Sequence, residues 1–227
     1  MRRDSVYRYH IAEKFVSING EGRKAGQLAV FIRFKGCNLN CSYCDTLWAN
    51  FDDCPVDIMT ADEILVYIQS KGIKNVTVTG GEPLIQNGIY ELLELLCKSG
   101  LEVEVETNGS VDISEYYDMS PRPSFTLDYK TPSSGMENFM EMKNYYNFLN
   151  EKDTVKFVCG SYDDLECAKE IIQKCRLVKK CAVYLSCVFG KLEPEKVVEY
   201  MIQNKMNDVN FQLQMHKFIW NPDKRGV

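Results

Sequence analysis

Cys37, Cys41 and Cys44 stand in the spacing C-x3-C-x2-C within one short segment, GCNLNCSYCDT. Thiolate is the soft donor that iron–sulfur clusters select, and three thiolates on one loop can wrap one face of a [4Fe–4S] cubane. Three ligands leave one iron with an open position, which separates a reactive metal site from a closed structural one. A structural zinc site is the alternative, and it needs a fourth ligand nearby. The loop holds no histidine; His10 lies upstream, and Cys54 is the next cysteine along. The later cysteines Cys159, Cys167, Cys175, Cys181 and Cys187 form no C-x2-C pair and read as buried thiols acting as small hydrophobes.

The loop must be carried by something, and the chain around it alternates. Strand patterns fall at 28–34 (LAVFIRF), 75–79 (NVTVT), 101–106 (LEVEVE), 124–128, 154–159, 182–187 and 209–215. Helical periodicity falls at 61–70, where Thr60 and Glu63 make a capping box, and at 90–98, 136–149, 163–175 and 194–204. Strand–helix alternation favours a parallel sheet with right-handed crossovers. Six or seven strands are too few for a closed eight-stranded barrel, so the expectation is an α/β fold with a partial, open (β/α) barrel of about six parallel strands. In such sheets the site forms at the carboxyl ends of the strands. The cysteine loop, Gly80-Gly81-Glu82-Pro83 and Thr107-Asn108-Gly109 each follow a predicted strand.

Composition bounds the rest. At 227 residues a single domain spanning 1–227 is the better prior, and 45% apolar residues suffice for a core. The net charge of -5 argues against a broad phosphate-binding surface, so nucleic acid is not an expected partner. No apolar run is long enough to span a bilayer, and the charged start, MRRDSVYRYH, has no apolar stretch behind it, so neither a membrane nor a signal peptide is expected. The expected compartment is the reducing cytoplasm, with cysteines as thiols or metal ligands.

The C-x3-C-x2-C loop with an aromatic residue before its last cysteine resembles the signature of the radical S-adenosylmethionine (SAM) superfamily, and Gly80-Gly81-Glu82-Pro83 resembles its GGEP element. The resemblance implies that the open iron takes the amino and carboxylate groups of SAM, and that electron transfer releases a 5′-deoxyadenosyl radical. Within the superfamily, the combination of SINGEG (17–22), the CDT ending of the cysteine loop, ETNG (106–109), KTPSSGM (130–136), QMHKFIW (214–220) and the terminal RGV resembles the 7-carboxy-7-deazaguanine synthase family from Ser17 to Val227. That family converts 6-carboxy-5,6,7,8-tetrahydropterin to 7-carboxy-7-deazaguanine with loss of ammonia, on the way to queuosine and related 7-deazapurines, with assistance from Mg2+.

The resemblance implies roles residue by residue. Ile18, Asn19, Gly20 and Glu21 meet the pterin edge, Arg33 meets the substrate carboxylate or a pterin oxygen, and Thr79 and His216 also reach the substrate. Thr46 is the Mg2+ ligand, an oxygen donor for a hard ion. SAM contacts Tyr43 and Asp45 beside the cluster, Gly81, the stretch Asp128, Tyr129 and Lys130, and the stretch Ser186, Cys187, Val188 and Phe189. The terminal carboxylate of Val227 folds into the pocket, which segment 209–227 completes. A flavodoxin- or ferredoxin-type reductant and a homodimer are the implied partners. The sequence departs from the family pattern at Asn19, where glutamine is usual, at Asp128-Tyr129, where Ser-Pro is frequent before the lysine, and at Tyr43, where tryptophan is frequent. Two other readings remain open at this stage: a radical SAM activase of a glycyl-radical enzyme, and a non-catalytic iron–sulfur electron-transfer protein.

Overall fold

The computed structural model describes residues 7–222 and 224–227; the charged start over 1–6 lies outside the described residues. Among the described residues nine strands form one sheet: β3 (Asp57–Met59) and β1 (Tyr9–Ile18) lie at one edge, followed in order by β2, β4, β5, β6, β7, β8 and β9. Strands β2 (Leu28–Phe34), β4 (Asn75–Gly80), β5 (Glu102–Thr107), β6 (Ser124–Tyr129), β7 (Thr154–Cys159), β8 (Ala182–Cys187) and the short β9 (Asn210–Phe211) run parallel. Helices α1 (Ala61–Gln69), α2 (Ile89–Lys98), α3 (Tyr162–Lys174) and α4 (Pro194–Gln203) make four of the crossovers, while short 3-10 and π turns connect β5 to β6 and β6 to β7. The expected open β/α architecture is what forms.

Successive side chains of a strand point to opposite faces, and here the two faces differ in kind. Val30, Ile32, Phe34, Val76, Val78, Val103, Val105, Phe125, Leu127, Val155, Phe157, Val183 and Leu185 pack into one apolar cluster with Ile64, Ile68, Leu92, Leu93, Leu96, Leu165 and Val197 of the helices. Full burial of each such side chain contributes about 1.5–3 kcal/mol, so this face holds the fold. The alternate positions are mostly polar, among them Glu13, Ser17, Arg33, Thr77, Thr79, Glu104, Glu106, Thr126, Asp128, Thr154, Lys156, Tyr184 and Ser186, with the stacked pair Phe15 and Phe31 as an apolar exception. They line the concave side.

Capping residues start the helices where expected. Thr60 accepts from the Glu63 amide at 3.2 Å while the Glu63 carboxylate accepts from the Thr60 amide at 2.7 Å. Ser161 and Asp164 repeat the box at α3.

Three expectations need correction. The helix expected over 136–149 is replaced by a 3-10 turn (Glu137–Phe139) and a π-helical turn (Asn144–Phe148). Asn144 donates to the carbonyls of Val111 at 2.8 Å and Gly109 at 3.4 Å and accepts from the Ile113 amide at 3.0 Å; these ties to the β5 loop override the helical period. The strand expected over 209–215 shrinks to Asn210–Phe211, after which Gln212 turns toward Gly22. Finally, β1 (Tyr9–Ile18) and β3 (Asp57–Met59) went unanticipated and pair antiparallel at the edge beside β2. A register shift between Ile11 and Glu13 breaks the alternation of β1 that would have marked it.

The gap between β9 and β1 is not closed by a ladder. A clasp spans it: the Gly22 amide donates to Gln212 Oε1 at 2.8 Å, and the Met215 amide donates to the Gly20 carbonyl at 3.2 Å.

Candidate active site

The cysteine loop leaves β2 and is tied to three neighbouring loops. Glu82 N–H donates to the Gly36 carbonyl at 2.9 Å, and Gly81 N–H to that of Phe34 at 3.2 Å. Ser42 donates its hydroxyl to Ser133 O at 2.6 Å and its amide to Ser134 O at 3.1 Å, while Tyr43 Oη reaches Val158 O at 3.2 Å. Asn108 Nδ2 donates to Asn38 Oδ1 at 3.0 Å and to Cys37 Sγ at 3.6 Å. The stretches at 80–83, 106–109 and 130–136 thus cage the cysteine loop, a role that spacing alone did not assign.

The glycines of the second loop have a steric reason. A Cβ on Gly81 would collide with the Gly36 carbonyl and stand 2.6 Å from Asn50 Oδ1; on Gly80 it would stand 2.6 Å from the Phe34 carbonyl. Glu82 is fully buried and accepts from the Leu84 amide, the Thr107 hydroxyl and the Asn108 amide at 2.7–3.0 Å. Burial pushes its carboxyl up to about 7, against the three donors that favour the charged form. Glu82 is a staple between loops.

The thiols suit a cluster. Burial pushes Cys37 and Cys41 up, while the Leu39 amide (3.4 Å) and Asn108 at Cys37, and the Lys130 charge at Cys41, favour thiolate. Such donors around sulfur are the surroundings that tune iron–sulfur ligands. Among the described residues, no three His, Cys, Asp or Glu side chains converge on a single ion. Three thiols on one loop, with amide donors and a lysine charge around them, fit a [4Fe–4S] cluster.

The concave face below holds side chains that the protein only half completes. Glu21 Oε2 pairs with Lys156 Nζ at 3.0 Å, whereas Oε1 is buried with no partner among the described residues. Asn19 Oδ1 accepts from the Thr77 hydroxyl at 2.7 Å, and its buried Nδ2 has no partner among the described residues. Asp128 Oδ2 takes Lys130 at 2.7 Å, and Asp128 Oδ1 and Ser186 Oγ are buried without a partner among the described residues. Buried polar atoms are normally paired, so a concentration of open ones on one concave face marks a place for a polar ligand.

Arg33 and Thr79 are register partners on β2 and β4, and Arg33 Nε donates to Glu13 at 3.3 Å. His216 begins α5 (His216–Ile219) and packs on Gly20, where a Cβ would stand 2.6 Å from its Nδ1. Burial pushes His216 below its ordinary value, with Glu21 and Asp45 opposing. Lys217 lies 3.6 Å from Asp45, the Arg225 guanidinium lies 4.1 Å from the centroid of the Trp48 ring, and Gly226 approaches Glu13. The tail carrying Val227 therefore runs past Trp48 to Glu13, the partner of Arg33. Thr46 starts the turn Leu47–Asn50, with its hydroxyl 3.7 Å from Cys44 Sγ.

Not every expected residue points inward. Tyr129 is buried in the helix-side core against Tyr145 and Phe157, so at most its backbone faces the concave side. Cys187 and the exposed Phe189 line a cleft of about 300 Å³ with Leu213, Gln214 and Phe218, and Val188 is tied by its amide to Cys159 O at 2.8 Å. Sequence reading missed Lys156, Thr77, Glu104 and Glu106. Their signal was present, as polar residues at alternate positions of otherwise apolar parallel strands.

The sequence profile of the Radical SAM superfamily matches residues 31–201. With the thiol loop at the carboxyl end of β2 in an open parallel sheet, this chain belongs to that superfamily. A 7-carboxy-7-deazaguanine synthase of Clostridium acetobutylicum is 58% identical over 220 residues, covering 96% of this chain and 99% of that protein. One from Chlorobaculum tepidum is 39% identical, covering 96% and 97%. The chain is a member of the 7-carboxy-7-deazaguanine synthase family. Among solved structures, QueE from Escherichia coli shares the fold with a TM-score of 0.74 at 23% identity, covering 92% of this chain and 95% of that one. SuiB from Streptococcus suis, solved bound to S-adenosylmethionine, gives 0.55 at 16% identity over 81% of this chain and 48% of its own.

Proposed function

We propose that this chain is a radical SAM lyase that converts 6-carboxy-5,6,7,8-tetrahydropterin to 7-carboxy-7-deazaguanine with loss of ammonia, serving 7-deazapurine (queuosine) biosynthesis. Beside family membership, the observation that carries the proposal is the concave face of half-completed donors and acceptors beneath the thiol loop. A [4Fe–4S] cluster on Cys37, Cys41 and Cys44, together with SAM, supplies when bound the one-electron chemistry that starts the reaction. The protein's own residues bind, orient and exclude water.

Glu21 and Asn19 offer one open acceptor and one open donor, a match for the N–H groups and carbonyl of a pterin ring. Arg33, a planar fork of donors, suits the substrate carboxylate, and Thr79 adds a hydroxyl beside it. His216, held toward its neutral form, can both donate and accept across the ring. Asp128, Lys130 and Ser186, with Tyr43, Asp45, Gly81 and the backbone of Val188, form the SAM subsite. Thr46 supplies an oxygen to Mg2+, an ion that keeps waters and takes few protein ligands. Segment 209–227, clasped to Gly20 and Gly22, covers the mouth and brings the Val227 carboxylate to it. A flavodoxin- or ferredoxin-type protein as reductant, a homodimer and a cytoplasmic setting belong to the same proposal. Among the described residues no helix is long and apolar enough to cross a membrane.

The test is an anaerobic assay of reconstituted protein with SAM, Mg2+, reductant and 6-carboxytetrahydropterin, read by mass spectrometry. A product of the mass of 7-carboxy-7-deazaguanine, lost in Cys41→Ala, is expected. Formation of 5′-deoxyadenosine alone, still dependent on the three cysteines, would keep the superfamily chemistry and reject the substrate. Membership in this family sets aside the activase and the non-catalytic electron-transfer readings.

A further inference from the structure

Lys156 is the one lysine that β7 directs onto the concave face, beside Asp128 on β6 and Tyr184 on β8. It is almost wholly buried, as is its partner, with side-chain exposures of 12% for Lys156 and 11% for Glu21. The pair joins distant parts of the chain, the segment after β1 and the middle of β7. The charges facing Lys156 are Glu21, Asp128 and Glu106, with His216 across from Glu21. Burial alone would drive its ammonium toward the neutral form, yet the three carboxylates carry it well above the ordinary lysine value. Lys156 is a fixed cation.

The contact is one-sided. Lys156 Nζ meets Oε2 of Glu21 at 3.0 Å, and Oε1 is buried without a partner among the described residues. A pair that served folding alone would be expected to have all its oxygens satisfied, because an open buried acceptor is costly. Asn19, two residues earlier, shows the same arrangement: Thr77 anchors Oδ1 and leaves Nδ2 open. Two neighbouring side chains are thus each pinned by one atom, from a strand that is not their own, with the other atom free.

We infer that Lys156 is a positioning residue for substrate recognition: it pins one oxygen of Glu21 so that the other is presented, charged and oriented, to an N–H edge of the bound ring. The inference rests on the pterin reading above. A lysine suits this task because its ammonium is a point charge that can engage one oxygen, whereas an arginine fork engages both. The anchored carboxylate loses little freedom on binding, and preorganisation of this kind raises affinity.

The test uses cluster-loaded, SAM-bound enzyme without reductant and reads binding of 6-carboxypterin, the oxidised and unreactive analogue, by anaerobic calorimetry. Glu21→Gln and Lys156→Met are each expected to weaken binding at least tenfold while SAM affinity and cluster absorbance hold. The double variant is expected to bind no worse than Glu21→Gln alone, because Lys156 acts through Glu21. Lys156→Arg, the variant to use if Lys156→Met does not fold, is expected to keep the thermal midpoint and still weaken binding, since a guanidinium takes up the open oxygen. Wild-type binding in either Lys156 variant, or losses that multiply in the double variant, would overturn the inference and leave the substrate reading standing. A wild-type enzyme that binds SAM but no 6-carboxypterin would overturn both.

Discussion

The amino-terminal rim of the sheet and its concave interior both bury carboxylates, and they finish them differently. At the rim, Asp153 is fully buried and takes four donors: Arg122 Nη1 at 2.8 Å, Arg122 Nη2 at 3.0 Å, and the amides of Phe125 and Asn150 at 2.9 Å each. In the interior, Glu21 and Asp128 each hold one oxygen to a lysine and leave the other open. Both regions bury carboxylates against a cation, but the rim supplies an arginine fork and two amides where the interior supplies one lysine to each. What separates a structural carboxylate from a functional one here is saturation, since a saturated oxygen stabilises the fold and an open one waits for a ligand.

That contrast can be broken most forcefully at the rim. Asp153→Ala would leave the Arg122 guanidinium buried without its counter-charge, and loss of one partner of a buried pair costs about 3–5 kcal/mol. Denaturant unfolding should show that loss, while the folded fraction keeps its SAM and 6-carboxypterin affinities. If ligand affinity fell as far as stability, the rim would not be purely structural. Glu21→Gln should invert the pattern. Glutamine keeps a neutral hydrogen bond to Lys156, and Asp128 and Glu106 remain beside that ammonium, so the unfolding free energy should fall by less than in Asp153→Ala, whereas 6-carboxypterin binding loses one charge-assisted hydrogen bond, about 1.5–3 kcal/mol. Equal losses in both measurements would erase the distinction drawn between the two regions.

A third change probes the seam where the loops of the site meet. Gly81→Ala places a methyl against the Gly36 carbonyl and Asn50, backbone and side chain that support the cysteine loop. Overpacking of this order costs about 1–3 kcal/mol, and the strain falls on the loop. Reduced cluster content after reconstitution is expected, with the far end of the sheet unaffected by hydrogen exchange. Full cluster occupancy in this variant would show that Asn50 yields and that the glycine answers to something else.

How much of this was legible beforehand follows from what each feature depends on. The parallel strands β2, β4, β7 and β8 were readable because a strand buried in a parallel sheet is a short β-rich run, and 154–159 and 182–187 fall where patterning put them. The cysteine loop was readable because its chemistry is local. The turns at 137–148 were not, since Asn144 obeys hydrogen bonds to the β5 loop that no local period encodes. Alternation marked the face Lys156 lies on, but its partner was hidden for a related reason. In sequence Lys156 is a lysine in a strand, and only register places it opposite Glu21, 135 residues away. Tyr129 erred in the other direction: proximity to Asp128 and Lys130 in sequence suggested a shared role, but alternation turns its ring to the core.

The smallest expected effect lies at His216, where the clasp meets the interior. Burial holds its folded pKa below the ordinary value of 6.5, aided by Lys217 and Lys156 and opposed by Glu21 and Asp45. The sign follows from linkage. A histidine depressed in the folded state binds its proton more tightly when unfolded, so its contribution is complete above about pH 6.5 and is lost as pH falls through the folded value. Glu82 has the opposite slope, because its carboxyl, raised to about 7, makes stability fall as pH rises toward that value. The two run together in wild-type enzyme, and a single stability profile would not resolve them. The difference between wild type and His216→Gln does, since Glu82 is common to both. That difference should be flat from pH 8 down to about 6.5 and then narrow steadily on acidification, as wild type loses what the variant never had. A difference that stays constant to pH 5 would mean that His216 is as freely protonated in the fold as in the open chain, and that the clasp leaves it in water.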